Sequence, residues 1–144
     1  MSDTFSSQDI EEIIRDNQDM SSENQEYFDV DKRILESIFD RINSCDNVQD
    51  IKRRIVKRAA YILSLITNLQ PFHEHNRRTA YSTAMDFLRR NNLNLPLNTL
   101  AEEKEVFDLL DKTKKKMKDD STLCVEIEHY LAVRVVDYYH RWRF

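Results

Sequence analysis

The residues best suited to chemistry sit together in Gln70-Pro71-Phe72-His73-Glu74-His75-Asn76-Arg77-Arg78. Pro71 ends one apolar helical pattern, because its ring disfavours the right-handed helical conformation at the preceding residue and it has no amide proton to donate. A second helical pattern resumes with Asn76 at or near its N-cap, so residues 71–75 read as a tight loop feeding a helix N-terminus. Such a terminus binds anions, since its first amides lack intrahelical partners and the helix dipole adds partial positive charge. Glu74 offers a carboxylate that can take Mg²⁺ through oxygen, while Arg77 and Arg78 place two guanidiniums in the first turn, where phosphate oxygens would lie. Arginine there opposes the dipole, so two in succession suit a bound polyphosphate; solvated arginines and an incidental loop carboxylate are the plain alternative. His73 and His75 read either as solvated loop histidines or, with Glu74, as a transition-metal group, although three adjacent loop residues rarely converge on one ion.

The elements that must hold this loop are helical. The chain of 144 residues contains no glycine, whereas average usage would supply roughly ten. Hairpin turns need positive-φ positions more than helical connections do, so the deficit points to an all-α fold. Ser6, Ser7 and Asp9 suit the start of a first helix from about Gln8 to Met20, with Ile10, Ile13 and Ile14 on one face. The polar stretch SSENQEY reads as a loop. Asp29 or Asp31 can cap a second helix bearing Ile34, Leu35, Ile38, Phe39 and Ile42, ending near Ser44. Asn47 and Asp50 resemble a capping box opening a third helix, in which Ile51, Ile55, Ala59, Ile62, Leu63, Ile66 and Leu69 keep helical period. This is the most apolar of the helices and is expected to be the most buried.

After the loop, Ala80, Ala84, Phe87 and Leu88 continue a fourth helix as far as Asn91-Asn92. Thr99 and Glu102 form a capping box for a fifth, carrying Val106, Phe107, Leu109 and Leu110. Ser121-Thr122 caps a sixth with Leu123, Ile127, Tyr130, Leu131 and Val135. Together these predict a six-helix orthogonal or up-down bundle forming a single domain over residues 1–144, with its core at about residues 8–140. No fixed-period repeat interrupts it.

Bulk properties narrow the function classes. Apolar residues make up 40% and charged residues 33%, a globular composition that is neither disordered nor membrane-like. Apolar runs are too short to span a bilayer and the start MSDTFSSQDIEE lacks a signal-peptide pattern, so a cytoplasmic location with no membrane partner is expected. Cys45 and Cys124 belong to no CxxC or Cys/His cluster and read as reduced thiols. A net charge of -4 makes nucleic acid an unfavoured partner, because that binding is dominated by phosphate neutralisation. Two basic clusters remain, Lys52-Arg53-Arg54 with Lys57-Arg58, and Lys112 with Lys114, Lys115, Lys116 and Lys118. The second suits a helix C-terminus; both also suit an acidic partner or nucleic acid. The terminal DYYHRWRF fits closure of a core or interface better than stacking on bases.

The stretch QPFHEHNRRTAY resembles the motif of the Fic/Doc family, H-x-F-x-(D/E)-(G/A)-N-(G/K)-R set between two helices. Phe72, Glu74, Asn76, Arg78, Thr79 and Ala80 stand at the matching places, and AMDFLRRN follows as in the Doc-like, death-on-curing branch. Upstream, DIEEIIRDN and ILESIF resemble the segments that precede the Doc motif, so the likeness covers roughly residues 8 to 135 in a strand-free helix-loop-helix setting.

The resemblance implies a Fic/Doc-like bundle that transfers a phosphoryl or AMP group from a nucleotide to a protein hydroxyl, with Mg²⁺ and ATP or another nucleotide as cofactors. It places Gln70, Phe72, Asn76 and Arg78 at catalytic positions, with Phe72 as the loop's anchor in the core. His75, Asn76, Arg77 and Arg78 become the nucleotide- and phosphate-binding set, and Glu74 the metal ligand. Basic Arg77 looks Doc-like, and Tyr81 falls where many AMP-transferring members have a second arginine, which also leans toward phosphoryl transfer.

Two departures matter. Gln70 stands where the family has its histidine base, and a primary amide cannot take up a proton near neutral pH. His75 stands where glycine or alanine is usual. Weak or lost activity is therefore expected, with a non-catalytic nucleotide- or protein-binding member as the alternative. Such proteins are commonly neutralised by an antitoxin helix carrying S/T-x-x-x-E-(G/N); SSQDIEE and DMSSEN each miss one element, so inhibition within the chain is unsupported and a separate antitoxin partner stays open.

Overall fold

The computed structural model describes residues 3–45, 48–97, 99–116 and 125–138. Among them the chain forms six helices, α1 Ser7–Glu23, α2 Lys32–Asn43, α3 Ile51–Leu69, α4 Asn76–Arg90, α5 Leu100–Lys116 and α6 Val125–Arg134. The mostly helical expectation holds. One small exception is an antiparallel pair, β1 Leu93–Asn94 with β2 Val136–Asp137, in which Leu93 faces Asp137 and Asn94 faces Val136.

α3 is the central element, with eleven of its nineteen residues buried, and it packs against α2, α4, α5 and α6. Its most extensive contact is with α4. Ala59, Ala60, Ala80 and Ala84 are fully buried on these two helices and keep them slim where they share the core. A single apolar cluster runs from Phe5 to Val135. Each buried Leu, Ile or Phe contributes about 1.5–3 kcal/mol through removal of apolar area from water.

Local chemistry sets the helix ends. Ser6 caps α1, with its side chain accepting from the Asp9 amide and the Asp9 carboxylate accepting in return from the Ser6 amide. α1 runs past Met20 to Glu23, further than its composition suggests, because Asn17 and Ser21 continue its buried face after Ile13 and Ile14. Asp31 caps α2. Asp50 alone caps α3, accepting from the Arg53 amide at 3.0 Å, in place of the expected box with Asn47, which lies outside the described residues. The same holds for Ser121, Thr122, Leu123 and Cys124 and for residues 139–144.

The basic cluster on α3 divides. Arg54 pairs with Asp3 at 2.9 Å, while Arg58 is only 2% exposed and its guanidinium donates to the carbonyls of Asp3, Asn43 and Cys45. Two of the five cations therefore hold the N-terminal segment and the α2–α3 connection. Arg58→Met is expected to lower unfolding free energy by about 3 kcal/mol in urea titration, because three part-buried carbonyls lose a charged donor.

α1 meets α4 across a hollow lined by Glu12, Asp16, Asp86 and Arg90 among others. The Asp16 carboxyl is held above the ordinary carboxylate value, by desolvation first and then by Asp86, Asp19 and Glu12. A raised folded value favours the protonated form, so this contribution to stability is fully present below the unfolded value and is lost as pH rises through the folded one. Asp16→Asn should therefore melt above the wild type near pH 7, with the gap closing toward about pH 3 in thermal scans.

Candidate functional site

α3 stops at Gln70, whose backbone is left-handed at φ 49 and ψ 61 and whose amide donates to the Ile66 carbonyl at 3.1 Å. Proline usually drives the residue before it to an extended conformation; here the left-handed turn reverses the chain instead. The following loop is stitched to the segment entering α2. Asp31 N donates to Pro71 O at 2.7 Å, His73 N donates to Asp29 O at 3.0 Å, and Val30 bridges Phe72 in antiparallel fashion. The loop expected to be strand-free thus carries one β-bridge, which satisfies backbone groups that a buried turn would otherwise leave unpaired.

Phe72 is 3% exposed and packs into the core, consistent with an anchor. Asn76 closes the loop over it. Its Oδ1 accepts from the Phe72 amide at 2.9 Å and its Nδ2 donates to the Phe72 carbonyl at 2.7 Å. Asn76 is the first residue of α4 rather than its cap; the cap position belongs to His75, at φ 62 and ψ 33, with no side-chain capping bond. Among the described residues the amides at the start of α4 are consequently left without a side-chain acceptor. A non-glycine residue in that conformation costs of order 1 kcal/mol. His75 Nε2 lies 2.8 Å from Glu26 Oε1, so the ring is engaged with a residue of the segment between α1 and α2.

A fully buried residue on α1 supports the loop from behind. Asn17 Nδ2 donates to the Glu74 carbonyl and to Thr79 Oγ1, each at 2.9 Å. Sequence reading missed Asn17, although its position one turn beyond Ile13 and Ile14 marks it as a polar residue on the apolar face.

The bend opens a cleft of about 690 Å³, within the range of small-ligand sites. One wall carries Gln70, Glu74, His75, Asn76, Arg77 and Arg78; the other is α5, through Leu100, Glu103, Lys104, Phe107 and Asp108. All expected site residues except Phe72 meet at this cleft. Nothing in the local pattern of α5 announces its role as the facing wall.

Charge is partly neutralised within the cleft. Arg77 pairs with Asp111 at 2.7 Å, Lys104 with Asp108 at 2.7 Å, and His73 stands 3.9 Å from Glu74. Arg78 makes no ion pair among the described residues, and its guanidinium lies 5.7 Å from the Phe107 ring, as does that of Arg77. Tyr81 packs on the same ring at 5.4 Å; desolvation, then Glu103, pushes its hydroxyl above the ordinary value. No cluster of three His, Cys, Asp or Glu able to hold a metal occurs among the described residues. The three-residue metal group His73-Glu74-His75 is therefore not formed, and Glu74 can serve a cation only alongside a ligand's own oxygens.

No protein-family model, curated protein or solved structure matches the chain. Among the described residues, no helix is long and apolar enough to cross a membrane.

Removal of the Asn76 side chain should open the loop. Asn76→Ala is expected to cost about 2 kcal/mol and to speed hydrogen exchange at the Phe72 amide by about tenfold or more, both measurable by exchange mass spectrometry and urea titration.

Proposed function

We propose that this chain is a Fic/Doc-like protein of toxin-antitoxin type whose cleft holds the polyphosphate of ATP or another nucleotide together with Mg²⁺. The observation that carries this reading is the uncapped start of α4, opening beside Glu74, Arg77 and Arg78 at the rim of one cleft. Free amides and the helix dipole suit phosphoryl oxygens, and the unpaired Arg78 adds a charge-assisted donor. The remaining balance favours a nucleotide that arrives with its cation. Glu74 and Glu103 both line the cleft and would repel a bare polyphosphate, whereas a divalent cation held by Glu74 would supply positive charge that offsets that repulsion.

Mg²⁺, held by Glu74 and by nucleotide oxygens, would neutralise charge on the transferring group. The chain's own residues bind and orient: Asn76 fixes the loop, Phe72 anchors it, and the α4 amides with Arg78 position the phosphates. The target is a protein hydroxyl, whose oxygen bonds to the γ-phosphorus with release of the nucleoside diphosphate, or to the α-phosphorus with release of pyrophosphate, its proton passing to water. Gln70 occupies the position of the base and cannot accept the hydroxyl proton. Transfer is therefore slowed by about 10²- to 10⁴-fold relative to a histidine-bearing site.

A second reading, a non-catalytic nucleotide- or protein-binding member of the family, is favoured by Gln70 itself. The two separate experimentally. Titration calorimetry with ATP and Mg²⁺ should show saturable binding that Arg78→Ala weakens about tenfold or more. Gln70→His should raise protein labelling from labelled ATP by about 10²-fold. Binding without any gain in labelling selects the non-catalytic reading, and absence of saturable binding removes the enzyme and the nucleotide-binding form of the second reading, leaving only its protein-binding form.

A further inference from the structure

The two walls of the cleft differ in chemistry. The α4 wall carries Arg77 and Arg78, each with its guanidinium 5.7 Å from the Phe107 ring, so Phe107 marks where α5 faces the cationic end. Leu100, Glu103 and Phe107 stand at i, i+3 and i+7 of α5, a spacing that sets them on one stripe of the helix, and all three line the cleft. At a rise of about 1.5 Å per residue, Glu103 lies about 6 Å and Leu100 about 10 Å along the axis from Phe107. The stripe leads away from the arginines toward an apolar end.

That far end is unmatched by the protein itself. Leu100 is 85% exposed. Lys104 and Asp108, beside the stripe, pair with each other at 2.7 Å. Glu103 is half-buried, yet its carboxylate makes no hydrogen bond or ion pair among the described residues. It stands near enough to Tyr81 to be the second cause, after desolvation, of that hydroxyl's raised value. An ionised carboxylate only accepts hydrogen bonds, and an ionised phosphate has none to donate. The complement of this end is a flat group with an apolar face for Leu100 and N–H donors on its edge for Glu103.

We propose that the N-terminal half of α5 binds the base of the nucleotide, with Leu100 against its face and Glu103 at its edge, and that the preferred base is guanine. This rests on the nucleotide-binding reading, which puts the phosphates at the start of α4, and it names the nucleotide class within that reading. Guanine presents a ring N–H and an exocyclic amine side by side, which match the two carboxylate oxygens in a bidentate, charge-assisted pair. Adenine sets its amine beside a ring acceptor, and uracil sets its ring N–H between two carbonyls, so each turns an acceptor toward the carboxylate. ATP is still held through the shared phosphates, but less tightly. Apolar side chains against a base face are sequence-tolerant, so Leu100 adds affinity for every base and Glu103 supplies the choice.

The test is calorimetry in Mg²⁺ with GTP, ATP and inorganic triphosphate on wild type, Glu103→Gln and Leu100→Ser. Wild type should bind GTP about tenfold more tightly than ATP, and both more tightly than triphosphate. Glu103→Gln should cut the GTP preference to about twofold or less while triphosphate affinity stays within about twofold of wild type. Leu100→Ser should weaken GTP and ATP alike, by about threefold, and leave triphosphate unchanged. GTP binding wild type no more tightly than ATP, a result that needs no variant, overturns the guanine assignment and leaves the polyphosphate site standing. A preference that survives Glu103→Gln overturns the role of Glu103, and triphosphate binding as tightly as both nucleotides overturns the base contact on α5. No saturable binding of any of the three overturns the nucleotide-binding reading and this assignment with it.

Discussion

The pair of hydrogen bonds between the Asn76 side chain and the Phe72 backbone is the constraint on which the rest of the structure depends. It closes a loop whose two ends, Gln70 and His75, are both left-handed. In a chain without glycine these conformations carry a cost that surrounding contacts must offset. Asn17 from α1, the bridge to Val30 and the burial of Phe72 supply those contacts. Three separate elements thus converge on one turn, and the geometry they impose directs the uncapped end of α4 into the cleft.

The same arrangement limits what Asn76 can do for a ligand. Its side-chain amide is committed at both ends to the loop, so in the proposed site direct anion contact would fall to the α4 amides and Arg78 rather than to the Asn76 side chain. His75 is likewise engaged, with Glu26. A polar side chain that looks like a ligand contact in sequence can therefore act one step back, by shaping the backbone that makes the contact. Gln70 lines the cleft, and its primary amide cannot take up a proton near neutral pH.

Much of the fold was legible because it depends on local rules. The apolar periods of α2 and α3, the break at Pro71 and the resumption at Asn76 all follow from propensity and proline sterics. Less legible were features set by distant partners. The extension of α1 to Glu23 depends on burying Ser21 and Asn17, and the β1–β2 pair joins residues more than forty positions apart. The left-handed Gln70 defies the usual extended preference before proline because the loop is tied to residues 29–31. In the site, the loop residues were readable from their types, whereas Asn17 and the α5 wall became relevant only through packing in three dimensions.

Amide chemical shifts during titration with ATP and Mg²⁺ report whether the start of α4 binds a polyphosphate. Saturable shifts should be largest at the amides of Asn76, Arg77 and Arg78, with smaller ones on the facing turns of α5. Shifts confined to Lys52, Arg53 and Lys57, or no saturable shift in the α4 first turn, would contradict it.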